Sequence, residues 1–108
     1  MKMVTAIVNK QDSSFVCDAL RSEGIAFTKM ASTGGFLRSG NVTLLIGVDD
    51  CDLNRALEVV RTHCSTRTMD MPVVSDAPAM KLGLPRTAKV TVGGATVFVT
   101  NVERFEKL

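Results

Sequence analysis

The feature that most constrains this chain is a change of hydrophobic period that occurs twice. Lys2 to Val8 sets Val4, Ala6 and Val8 on one side of an extended segment. Phe15, Val16, Ala19 and Leu20 then follow at helical spacing. The switch recurs when Val42, Leu44 and Ile46 alternate with Thr43 and Leu45, and Leu53, Ala56, Leu57, Val60 and Cys64 return to the helical period. Side chains alternate across a strand and recur every three to four residues on a helix, so each switch marks a strand feeding a helix. Neither element can bury its apolar face alone, so the two units must share one core.

The punctuation agrees. Asp12-Ser13-Ser14 and Asp49-Asp50 are short oxygen-bearing residues suited to capping the two helices, and Gly24 suits the end of the first. Ile25 to Thr33 reads as a strand, closed by Gly34-Gly35. Its distance from Asn41 to Val48 predicts antiparallel neighbours. Ser65 to Thr87 holds all three prolines and no clean period, so it reads as one long loop with a short strand near Pro72 to Ser75. Ala88 to Val92 and Ala95 to Val102 read as two strands joined by Gly93-Gly94, a hairpin or bulge signal. The expected architecture is α+β, a ferredoxin-like βαββαβ domain over residues 1–108 with an extra C-terminal strand. Two helices lie on one face of its antiparallel sheet, and a long loop spans about 65–87.

Such a sheet has a second face. Ile7, Leu45 and Val97 are expected there, and an uncovered apolar face on a small domain predicts a symmetric oligomer. Composition narrows the function classes. The 108 residues carry a net charge of +2 with no basic run, and they contain neither tryptophan nor tyrosine. No nucleic-acid partner is expected, since single strands are bound by charged grooves and stacked aromatics. No apolar run approaches the ~20 residues that span a bilayer, so no membrane insertion is expected and the location is read as cytoplasmic. Cys17, Cys51 and Cys64 match no metal spacing and read as free thiols, two of them on apolar helix faces.

Chemistry concentrates in Thr28 to Asn41, which holds a glycine pair, hydroxyls, Lys29, Arg38 and an amide. Glycine lets backbone N–H groups turn toward an anion, although Gly34-Gly35 serves equally well as a plain tight turn. Phe36 and Leu37 stack on a purine, bury into a partner subunit, or close a small satellite core. Gly35 and Gly40 fall short of a phosphate-binding P-loop, because Asn41 and Val42 stand where lysine and a hydroxyl are required. His63, the single histidine, sits late in the second helix with no carboxylate at motif spacing. With no nucleophile–base pair and no metal cluster, the chain reads as a non-enzyme without cofactor.

The stretches TKMASTGGFLRSGNVTLLIGV and VTVGGATVFV, with AIVNKQDSS near the start, resemble the PII-like cyclic-di-AMP receptor family over most of the chain. That resemblance implies a homotrimer binding one cyclic-di-AMP at each subunit interface and relaying the signal through loop movement to an unknown downstream protein partner. It places ligand contacts on Thr28, Gly35, Phe36, Leu37, Asn41 and Gly47, and also on Gly93, Gly94 and Phe98. By chemistry, Thr28 and Asn41 bond adenine edges or phosphate, Phe36 and Leu37 sandwich a base, and Gly47 admits the ligand to the strand backbone. Two features depart from the family. Ala26 stands where members often carry arginine, and the extreme C-terminus, Glu106-Lys107-Leu108, differs. An adaptor for another adenine nucleotide, ATP or AMP, or for none, is the alternative.

Overall fold

A computed structural model of the chain describes residues 1–32, 40–72 and 87–108. In chain order the elements are β1 (Lys2–Asn9), α1 (Ser13–Ser22), β2 (Phe27–Ser32), β3 (Asn41–Val48) and α2 (Leu53–His63). These are followed by β4 (Arg67–Pro72), β5 (Thr87–Val92) and β6 (Ala95–Asn101). A 3₁₀ turn, Asp50–Asp52, leads into α2.

Among the described residues, four strands form a sheet in the order β2-β3-β1-β6, with every neighbouring pair antiparallel. This is the ferredoxin-like order: β1 and β2 flank β3, and β3 and β6 flank β1, so each helix crosses over an intervening strand. The register decides the faces. Val4 pairs with Ile46 and Val99, and Ala6 with Leu44 and Val97, so these residues share one face. That face meets Val16 and Leu20 of α1 and Ala56 and Val60 of α2 in one core. Seven of the core side chains are sealed almost completely from solvent: Leu20, Leu44, Ile46, Val4, Val8, Val16 and Val60. Burying each such side chain contributes about 1.5–3 kcal/mol, which makes this layer the main cohesive term.

Helix α1 ends where the sequence indicated. Gly24 takes φ of +69°. Its N–H reaches the Arg21 carbonyl at 3.0 Å, and the Ile25 N–H reaches that of Leu20 at 2.9 Å. Two orphan carbonyls of the last turn are thereby satisfied in a Schellman closure. The N-termini differ from expectation. Neither Asp12 nor Asp49 caps with its side chain. Asp12 is engaged by Arg67 instead, and Asp50 by the N-terminal ammonium at 3.1 Å. A full positive charge outbids an amide for a carboxylate.

Several further expectations change. Arg67–Pro72, placed at the start of the long loop, is a strand pairing with Thr87–Val92 in a separate two-stranded ribbon. Most of the short strand expected near Pro72 to Ser75 lies outside the described residues, as does the remainder of that loop. The strands flanking Gly93-Gly94 do not pair with each other, because β5 pairs with β4 while β6 pairs with β1. The positive φ of both glycines, +79° and +82°, turns the chain from ribbon to sheet. The added strands are thus β4 and β5, and β6 is the fourth strand of the main sheet. Val97 faces the helices, not the open side, because its partner Ala6 does. Phe15, expected on the apolar face of α1, is 64% exposed.

Candidate functional site

The open face is built from the other register parity. Thr28 pairs with Leu45, Leu45 with Thr5, and Thr5 with Phe98, so one row crosses all four strands. Met3, Ile7, Met30, Thr43, Gly47, Thr96 and Thr100 complete the surface. Ile7, Thr43 and Leu45 are half-buried, while Met30 and Phe98 are exposed. No described helix covers this side. Lys29 pairs with Leu44 and therefore faces the helices, away from Thr28, as strand alternation requires.

Thr28 and Gly47 meet at one end of this face. They line a cavity of about 470 Å³ together with Ala26, Met3 and Leu45. The chain beyond β6 closes its far side with Val102, Phe105 and Lys107. The Val102 N–H donates to the Met1 carbonyl at 3.2 Å, which holds this tail along the end of β1. Gly47 opens the strand: a Cβ there would have only the Met1 Cε within 4.0 Å. The Thr28 hydroxyl is thus a hydrogen-bonding group on a largely apolar floor. That is the usual make-up of a small-molecule site.

Asn41, Gly93 and Gly94 lie at the opposite end. Asn41 pairs with Asn9 and Ser32, and Ala95, next to Gly94, pairs with Val8. Asn41 is 6% exposed. Its Oδ1 is buried without a hydrogen-bond partner among the described residues. A buried acceptor left unpaired costs about 1–3 kcal/mol, so this oxygen favours a donor from beyond the described residues. Asn41 and Gly47 are six residue steps apart along the strand, a span of roughly 20 Å. The two ends therefore do not converge within one chain. Phe98 lies between them on the edge strand β6. Gly35, Phe36 and Leu37 lie outside the described residues.

Beside Gly93, Arg67 grips Asp12, Nη2 to Oδ1, at 2.9 Å. Asp12 is buried, and Gly93 sits so close that a Cβ would fall 2.6 Å from Arg67 Nη1 and from the Ser65 carbonyl oxygen. Here glycine is required by a close approach as well as by its positive φ. The partner bond holds the Arg67 guanidinium above its ordinary pKa. The thiols match the reading of free cysteines, with Cys17 and Cys64 buried and Cys51 exposed. Burial pushes the Cys64 thiol up to about 12 and raises that of Cys17 as well.

Sequence reasoning did not find the tail's part in the cavity, nor the Asp12–Arg67 contact. Val102, Phe105 and Lys107 carry no motif, and only the path of the chain brings them to Thr28. The one available signal was that Glu106-Lys107-Leu108 departs from the family pattern. Among the described residues no group of three or more His, Cys, Asp or Glu side chains is placed to hold a metal ion. Nor is any described helix long and apolar enough to cross a membrane.

Comparison with known proteins places this geometry in context. A family model described as cyclic-di-AMP receptor matches residues 1–108. A solved structure, the crystal structure of a functionally unknown protein from Pediococcus pentosaceus ATCC 25745, is similar at a TM-score of 0.78. The two are 36% identical, over 99% of this chain and 96% of the other.

Proposed function

The chain belongs to the cyclic-di-AMP receptor family, and from that premise we propose that it is a non-enzymatic receptor. It binds cyclic-di-AMP between the subunits of a homotrimer and relays occupancy to a protein partner through loop movement. The observation that carries the subunit-interface reading is the split site. Thr28 and Gly47 sit at one end of the open face, and Asn41, with its unpaired Oδ1, sits at the other. A second subunit laid against the open face supplies one end to the other and covers Ile7, Leu45 and Phe98 in the same step. Thr28 and the Asn41 amide then bond the adenine edges or phosphate, and Phe36 and Leu37 sandwich a base. Gly47, Gly93 and Gly94 let the ligand approach the backbone. Gly35 belongs to the same set, as part of the loop that carries Phe36.

The description of the family as a receptor favours binding over turnover. The ligand is chemically unchanged on release, and no cofactor takes part. The protein acts in the cytoplasm, where its ligand is made available to it.

Isothermal titration with cyclic-di-AMP, with cyclic-di-GMP, ATP and AMP in parallel, tests the reading. Selective binding of cyclic-di-AMP near one ligand per chain, on a particle of trimeric mass, supports it. Equal binding of ATP or AMP transfers the fold to an adenine-nucleotide adaptor, and hydrolysis of labelled ligand overturns the receptor reading.

A further inference from the structure

We infer that Lys107 is the residue that neutralises a phosphate of the ligand in the cavity at the Thr28–Gly47 end. The inference deepens the receptor reading above and rests on it. The cavity's walls are largely apolar, from Met3, Leu45 and Phe105, with the Thr28 hydroxyl as a polar group. An anion moved into such surroundings needs a matching charge, because desolvation of an unpaired ion is costly. Cyclic-di-AMP brings two phosphodiesters, each with one negative charge.

The other cations near this end either hold a partner or lie on the opposite face of the sheet. The N-terminal ammonium of Met1 is 3.1 Å from Asp50 Oδ1. Arg104 is 2.6 Å from Glu106 Oε1. Lys2 bonds Asn101. Lys29 lies on the helix side of β2, opposite Leu44. Ala26, which lines the same cavity, contributes only a methyl group. Lys107 lines the cavity, and among the described residues no ion pair involves it. Its position is set by β6, which delivers the tail to Met1 through the Val102–Met1 bond. Lysine suits this role. Its ammonium is a point charge with three donors on a flexible stem, so it can reach a phosphate oxygen without the fixed fork geometry of arginine. A cation from the tail thus stands beside Ala26, which carries none.

The test is titration of the full chain with cyclic-di-AMP over a series of salt concentrations, for wild type, K107Q and K107R. The glutamine variant keeps a polar side chain, one atom shorter, and loses the charge. It is expected to bind roughly ten- to a hundredfold more weakly, the worth of one charge-assisted bond. Its affinity should also depend less on salt than that of wild type. The arginine variant should remain within a few-fold of wild type. If K107Q binds like wild type with an unchanged salt dependence, Lys107 makes no such contact and the inference falls while the receptor reading stands. An equal loss in K107Q and K107R also overturns it, since that marks a packing role for the tail. A wild-type chain that does not bind cyclic-di-AMP overturns the receptor reading itself, and the inference with it.

Discussion

Arg67 of the ribbon and Asp12 at the start of α1 stand 55 residues apart in sequence and 2.9 Å apart in space. Their ion pair packs directly over Gly93, whose missing Cβ leaves room for the guanidinium. One contact therefore ties together the ribbon, the first helix and the turn from β5 into β6. The close approach sets up a comparison between two glycines.

Gly93→Ala is expected to destabilise the chain well beyond Gly24→Ala. Both positions have positive φ, which costs an alanine about 1–2 kcal/mol. A Cβ at Gly24 meets nothing within 4 Å, whereas one at Gly93 falls 2.6 Å from two heavy atoms. Urea denaturation should show the backbone cost alone for Gly24→Ala and a larger loss for Gly93→Ala. Equal losses would mean the guanidinium moves aside freely.

Gly47→Ala separates ligand binding from stability. Gly47 has no positive φ, and its Cβ direction is open. The substitution should leave stability within about 0.5 kcal/mol, as for other uncrowded surface changes. The added methyl enters the cavity beside Thr28, so affinity for cyclic-di-AMP should fall several-fold in a titration. Unchanged affinity would place the ligand elsewhere.

The buried thiols make the fold sensitive to alkali. Burial raises Cys64 from 9.0 to about 12, and Cys17 in the same direction. The folded thiol holds its proton where the unfolded one has lost it. Stability is therefore fully present below about pH 9 and declines as pH rises toward 12, by up to about 1.4 kcal/mol per pH unit for Cys64. Urea midpoints from pH 8 to 11 should fall more steeply for wild type than for Cys64→Ala. Under native conditions a thiol reagent should modify the exposed Cys51 rapidly, with Cys17 and Cys64 reacting only on unfolding.

Ile7→Glu places a charge on the open face without touching the helix-side core. Light scattering should show a trimeric wild type and a smaller particle for the variant, with circular dichroism unchanged. A wild type of monomeric mass would rule out the sheet-to-sheet assembly.

Period and punctuation alone determined the two β–α units, the three strands through Val48, the end of α1 at Gly24 and the burial of Cys17 and Cys64. These depend on contacts between residues close in sequence, or on one apolar face seeking any core, so local pattern suffices. The resemblance of the glycine segments was enough to point to the family, which the match over residues 1–108 bears out. Tertiary structure alone decided which strand β6 joins, and therefore that Phe98 and not Val97 faces outward. Strand pairing is a choice among distant partners, and a one-residue shift of register exchanges the faces. The same reasoning covers Arg67, whose strand lacked a period of its own and is defined by its partner β5. It also covers Lys107, which shares a cavity with Thr28 only because β6 runs antiparallel to β1 and returns the tail to Met1. A side chain's chemistry is written in the sequence, but its neighbours across the sheet are set by which distant segments bury each other best.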